Sequence, residues 1–168
     1  MRRFQIYLLV CFLVSSCFAQ REFTQSHSLD SSIIGVWKVD RSEFRSPDSA
    51  WSIRAAPYES LYIFTKEYYS YSYVLGASPR KLFAGDPNKP TDAEKISAYE
   101  SFVANSGTYA LTDSSLVLRS FLHKNPNEMN KEPLLYSIKM ESNKMILTIK
   151  NPPFLRDREL RTSLVRIE

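Results

Sequence analysis

Ile34-Gly35-Val36-Trp37-Lys38-Val39 opens the first strand-like segment of the chain. A Gly-x-Trp at the head of alternating apolar-polar segments joined by short turns argues for a small β-barrel with an interior. The first segment runs from about Gly35 to Arg41 and carries Trp37, Val39 and Arg41 on one face. A Ser/Pro-rich loop follows, from Arg45 to Tyr58. The second and third segments, Ser60 to Thr65 and Tyr68 to Leu75, are separated only by Lys66-Glu67, a hairpin-sized gap. The fourth and fifth, Thr108 to Thr112 and Leu116 to His123, join through Asp113-Ser114-Ser115. The sixth and seventh, Leu134 to Met140 and Met145 to Lys150, join at Glu141-Ser142-Asn143-Lys144, and the eighth is Arg161 to Ile167. Short turns favour antiparallel neighbours, because parallel pairing needs long crossovers. The expected fold class is all-β: an eight-stranded antiparallel up-and-down barrel. A barrel of that size is just wide enough to be filled by side chains or to hold one small ligand. The chain has only four glycines, sparse for a strongly coiled barrel.

One segment breaks the β pattern. Thr91-Asp92-Ala93-Glu94 reads as a capping box, in which the Thr91 hydroxyl and the Glu94 carboxylate satisfy free amides of a first helical turn. Ile96, Tyr99, Phe102 and Val103 then recur at helical spacing, and Gly107 lies where the chain leaves the helix. This predicts one short helix in the long connection between the third and fourth strands. Its apolar face makes it either a lid over the barrel mouth or a plug that completes the core.

The N-terminus has the three parts of a secretory signal. Arg2 and Arg3 are its positive region, Ile6 to Val14 is an apolar run, and Ser15-Ser16-Cys17-Phe18-Ala19 supplies small residues for a cut after Ala19. The run is too short to cross a hydrocarbon core of about 30 Å. Val14-Ser15-Ser16-Cys17 also resembles the bacterial lipobox, in which the cysteine is lipid-modified and begins the mature chain. The expected organisation is a signal peptide at 1–19, a flexible segment at 20–31 and one barrel domain at 32–168. The expected destination is secreted or periplasmic, with a membrane-anchored lipoprotein at Cys17 as the alternative. Soluble export removes both cysteines, leaving no disulfide framework and no thiol chemistry in the mature domain.

About 150 residues then remain, one domain's worth. The formal charge of +4 falls to +2, since Arg2 and Arg3 are the charged residues of that segment, so no basic stripe points to nucleic acid. The mature chain has no transmembrane segment, and nothing identifies a protein partner. The chain also lacks His-Glu-x-x-His, Gly-x-Ser-x-Gly, a glycine-rich phosphate loop and a clustered metal-ligand set. No cofactor is called for.

What stands out is aromatic content, with ten Tyr and ten Phe. Tyr69, Tyr71 and Tyr73 alternate along the third strand and share one face, while Tyr68, Ser70, Ser72 and Val74 share the other. Turned inward, three phenols line a cavity with apolar walls and polar tips; turned outward, they form an aromatic stripe for a partner. Ser70 and Ser72 suit a solvated face, which favours the inward assignment. Tyr62 and Phe64 on the second strand, Tyr99 on the helix and Tyr109 on the fourth strand add to the candidate lining. Arg119 and His123 share a face with Val117 and Phe121 by period two. An inward assignment sets a cation and an imidazole beside a ligand's carboxylate or hydroxyl; the alternative is that they point to solvent.

Taken in order, Ile34-Gly35-Val36-Trp37, Leu61-Tyr62-Ile63-Phe64-Thr65, Ala98-Tyr99-Glu100-Ser101-Phe102, Ser106-Gly107-Thr108-Tyr109 and Leu164-Val165-Arg166 resemble the lipocalin-like domain family, within the calycin group of small-molecule-binding barrels. The similarity spans Ser32 to Glu168. It implies an eight-stranded barrel that binds a small hydrophobic molecule. It also implies that Arg166 packs over Trp37, as an arginine of the last strand does in lipocalins. The Thr-Asp-Tyr motif of the kernel lipocalins is missing, so the resemblance carries no transport or receptor role. Independently of it, a bare backbone at Gly35 allows close approach at the closed end of a barrel, and Trp37 can seal that end. Two other functions are compatible with the same residues. One is a filled-barrel envelope or extracellular interaction protein. The other is a cofactor-free isomerase-type enzyme in which Arg119 or Tyr109 polarises a carbonyl.

Overall fold

The computed structural model describes residues 32–168 apart from Arg156. The expected signal peptide, its cleavage site, Cys17 and the segment 20–31 lie outside the described residues. The described residues form nine strands: β1 (Gly35–Arg45), β2 (Ser52–Arg54), β3 (Ser60–Phe64), β4 (Tyr68–Val74), β5 (Phe102–Leu111), β6 (Ser115–His123), β7 (Leu134–Glu141), β8 (Lys144–Lys150) and β9 (Glu159–Arg166). One α-helix, α1 (Asp92–Glu100), joins β4 to β5, and a 3₁₀ turn at Pro126–Glu128 lies between β6 and β7. All pairings are antiparallel, and β1 closes on β9, so eight strands form a closed barrel. The ninth, β2, lies on one edge of β1. That edge carries β3 at Gly35–Trp37 and β2 at Ser42–Phe44. Between the two strands, the Val39 amide donates to the Ser60 hydroxyl at 2.9 Å instead of to a strand backbone.

With so few glycines, the coiling that closure demands comes from bulges. The register slips between Val39 and Arg41 on β1, leaving Asp40 as the extra residue, and opposite Ser106/Gly107 on β5, leaving Phe121 as the extra residue on β6. Gly107 itself is indispensable. A Cβ there would stand 1.9 Å from the Arg119 carbonyl oxygen and 2.9 Å from the Tyr69 ring. It lies in mid-strand, not at the helix exit predicted for it.

Period two located the barrel strands, and the helix length is the main correction. Phe102 and Val103 belong to β5, which starts six residues earlier than Thr108. The segment Phe102–Thr108 pairs continuously with Val74–Tyr68, and that long-range ladder outweighs the local helical spacing. The helix start is as expected: Glu94 N–H donates to Thr91 Oγ1 and Thr91 N–H to the Glu94 carboxylate, at 3.3 and 2.8 Å. The Ala84 amide, followed by the Thr91 hydroxyl and amide, donates to the Glu94 carboxylate and holds it below its ordinary value. No residue of α1 is buried, which overturns the plug alternative. Lys124 instead ties its C-terminal end by donating to the Tyr99 and Phe102 carbonyls.

The core is densest at the end where β1 begins. Ile33, Trp37, Leu116, Met145 and Leu164 are fully buried there. The Trp37 indole N–H donates to the Ile33 carbonyl at 2.9 Å, and the Arg166 guanidinium lies 4.2 Å above the indole ring while donating to the carbonyls of Ser32 and Ile34. Gly35, at φ +143°, leaves room for that guanidinium: a Cβ would stand 2.3 Å from Arg166 Nη1. This end is sealed, as Gly35, Trp37 and Arg166 imply. Among the described residues no helix is long and apolar enough to cross a membrane.

Candidate functional site

Register decides which side chains face the barrel interior. Trp37 faces in and pairs with Tyr62; Tyr62 pairs with Tyr71, and Phe64 with Tyr69. Opposed residues of a ladder share a face, so Tyr62, Phe64, Tyr69, Tyr71 and Tyr73 all point inward, as the serine pattern of β4 predicts. Tyr69 and Tyr71 are only 3% and 8% exposed. Their rings form a ladder of nearly parallel planes. Tyr62 stacks on Tyr71 at 4.8 Å, with Tyr69 at 6.0 Å and Tyr73 at 6.2 Å from the Tyr71 ring. Such offset stacks add roughly 0.5–1.5 kcal/mol each beyond the area they bury.

Asn105 organises the floor of this wall. It is 2% exposed and lies opposite Tyr71 on β5. Tyr69 donates its phenol proton to Asn105 Oδ1 at 3.0 Å, and Asn105 Nδ2 donates to the Tyr71 phenol oxygen at 3.1 Å. Beside them lies the buried hydroxyl of Ser120. Burial pushes the Tyr69 phenol up to about 12, against the weaker pull of its Ser120 and Asn105 contacts. Burial likewise raises Tyr71, Tyr73, Tyr62 and Tyr136. Each of Tyr62 and Tyr136 also feels the Tyr71 and Tyr73 phenols. Tyr136 lies on β7 opposite Leu116, so phenol tips approach one another from two walls.

The remaining predicted residues lie elsewhere. Tyr109 faces in at the sealed end, where its hydroxyl donates to the Thr65 carbonyl at 2.6 Å and its ring meets Phe64 edge-on at 5.4 Å. Tyr99 is 49% exposed on α1, with the Lys124 ammonium 4.1 Å above its ring, outside the barrel. Arg119 and His123 do not share a face, because the extra residue Phe121 shifts the parity of β6 between them. Arg119 pairs with Thr108 and is exposed on the outer wall, in an open groove of about 670 Å³ bounded by Phe121 and Asn130–Pro133. His123 pairs with Asn105 and is half-buried, and the Asn125 amide donates to its Nδ1 at 2.9 Å. Sequence reasoning missed Asn105 and Tyr136. Asn105 falls in the stretch read as helix. Tyr136 was legible, since Leu134, Tyr136, Ile138 and Met140 alternate on one face.

The outer wall holds one more charged cluster. Glu43 is 8% exposed and lies 3.7 Å from Arg41 and 3.8 Å from Arg161, beside an open groove of about 370 Å³. Trp51 stacks between the Arg45 and Arg161 guanidinia at 4.7 and 3.9 Å, and Arg45 pairs with Glu159. This cluster fastens the β1–β9 seam. Among the described residues no three His, Cys, Asp or Glu side chains are grouped to hold a metal ion.

No family model matches the chain, and no curated protein sequence does. Among solved structures, an uncharacterized protein from Bacteroides eggerthii DSM 20697 aligns with 80% of this chain and 98% of its own, at 10% identity and a TM-score of 0.43.

Proposed function

We propose that this protein binds a small, largely apolar molecule in the open half of its barrel. The single observation that carries the reading is the state of three inward tyrosines. Tyr62, Tyr73 and Tyr136 face the interior by register, yet each remains half-buried, so solvent reaches side chains that belong to the core face. Tyr71 and Asn105 form the floor of that cup, and the Trp37 end is its closed base. An apolar wall with a few convergent polar groups is the usual make-up of a small-molecule site. The lipocalin-like resemblance points the same way.

The other two functions gain no support from the residues named for them. The outward aromatic stripe that favours an interaction scaffold is not formed, because Tyr69, Tyr71 and Tyr73 face inward. The isomerase-type reaction was to use Arg119 or Tyr109; the first is on the outer wall and the second donates to Thr65. Export belongs to the same proposal: residues 1–19 direct the chain out of the cytoplasm, and the mass of the mature N-terminus, Gln20 or a lipid-modified Cys17, tells the two routes apart.

Binding is tested with purified protein stripped by organic extraction. The neutral fluorophore N-phenyl-1-naphthylamine is expected to bind one to one, as read by native mass spectrometry. Val103→Trp, which fills the cup opposite Tyr73, should abolish uptake. No uptake, or uptake indifferent to Val103→Trp, would sink the proposal.

A further inference from the structure

Resting on the reading that the cup binds a small molecule, we infer that its ligand is an uncharged, flat molecule whose inner end carries hydrogen-bond acceptors, such as a lactone or ketone oxygen. The polar atoms at the floor run in one direction. Tyr69 gives its proton to Asn105 Oδ1, and Asn105 Nδ2 gives one to the Tyr71 oxygen. The Tyr71 oxygen is therefore used as an acceptor, and its own proton has no acceptor among the described residues. Tyr62, Tyr73 and Tyr136 bring three more phenol donors, and no acceptor is recorded for them among the described residues. A purely hydrocarbon ligand would strip water from these donors and return nothing, at the cost of unpaired polar groups.

Flatness follows from the ring stack. Tyr62, Tyr71 and Tyr73 have planes within 18–21° of their neighbours, so a planar molecule lying parallel to them extends the stack, which a bulky one cannot. Neutrality follows from the same clustering. The phenols oppose ionisation of one another, and burial is the larger part of that opposition, so a ligand anion at this depth meets the same cost. The charge of Arg54 reaches Tyr73, and the imidazole of His123, opposite Asn105, has its Nδ1 occupied by the Asn125 amide.

Three flat bicyclic probes separate these features by titration against the stripped protein, read by amide and tyrosine NMR shifts. Coumarin is neutral with a lactone acceptor, naphthalene has no acceptor, and 2-naphthoate is charged. Coumarin is expected to shift the Asn105 and Tyr71 signals and to bind at least about tenfold more tightly than either of the others, in line with sites built to hydrogen-bond their ligands. Tyr136→Phe, on the opposite wall, should weaken coumarin about tenfold and leave naphthalene unchanged; Tyr71→Phe is the second variant and should do the same. If naphthalene binds as tightly as coumarin, or 2-naphthoate binds more tightly, the inference falls while the binding reading stands. If none of the probes moves an interior signal, both fall.

Discussion

Asn105 donates to the phenol oxygen of Tyr71 at 3.1 Å across the β4–β5 ladder, from a position that is 2% exposed. The pair joins a strand read correctly from its alternation to one whose first half was read as helix. It also fixes the polarity of the cup floor, because Asn105 has one acceptor oxygen and spends it on Tyr69. Asn105→Leu keeps the volume and removes both bonds. Two phenols are then buried without their partner, and the barrel is expected to lose about 1–3 kcal/mol. Urea unfolding followed by tryptophan fluorescence measures it. A loss below about 0.5 kcal/mol would mean the chain of bonds is not formed in solution.

Alkali should unfold this protein through its tyrosines. Tyr69 has a folded pKa raised from 10.0 to about 12, and Tyr62, Tyr71, Tyr73 and Tyr136 are shifted the same way. The unfolded chain releases these protons first, so the stability they confer is complete below pH 10 and is lost as pH rises through the folded values. The slope approaches about 1.4 kcal/mol per pH unit for each phenol that ionises only on unfolding. Phenolate absorbance should therefore show an early class of exposed tyrosines and a late class that appears together with loss of β circular dichroism. A single early class would contradict the buried ladder.

Arg166→Ala should open the sealed end. It removes a guanidinium stacked 4.2 Å from the Trp37 ring and the donors to the Ser32 and Ile34 carbonyls. The expected cost is about 2 kcal/mol, combining cation–π and charge-assisted terms. Arg166→Lys should recover less than half, since an ammonium cannot lie flat on the indole and reach both carbonyls. Full rescue by lysine would mean that charge alone is what matters there.

Gly107→Ala and Gly85→Ala form a contrasting pair. A methyl at 107 collides with the Arg119 backbone, which cannot move without parting β5 from β6, whereas a methyl at 85 meets nothing within 4 Å. The first should cost at least about 2 kcal/mol or prevent folding, and the second should stay within about 0.5 kcal/mol of the parent. Thermal denaturation of the two variants decides it.

Thr91→Ala should separate the helix from the barrel. It breaks the capping box, worth about 1 kcal/mol to the helix, but α1 buries no residue. Amide exchange is expected to quicken across Asp92–Glu100 while the urea midpoint of the barrel holds. A shifted midpoint would show that the helix is coupled to the core.

Alternation at period two determined from sequence alone where most of the barrel strands lie and which face of β4 is aromatic. The capping box likewise determined where α1 begins. These are local properties: each depends on neighbours one to four residues apart. What only the tertiary structure decided depends on pairing between distant segments. The ladder of β4 with β5 claimed Phe102 and Val103 for a strand. The extra residue Phe121 sent Arg119 outward and His123 inward, though their spacing puts both on one face of a regular strand. A single bulge reverses every side chain beyond it, and nothing within β6 itself marks where its partner will force one. Asn105 meets the tyrosine wall through the β4–β5 ladder, and Tyr136 does so because closure of the barrel sets β7 across from β4.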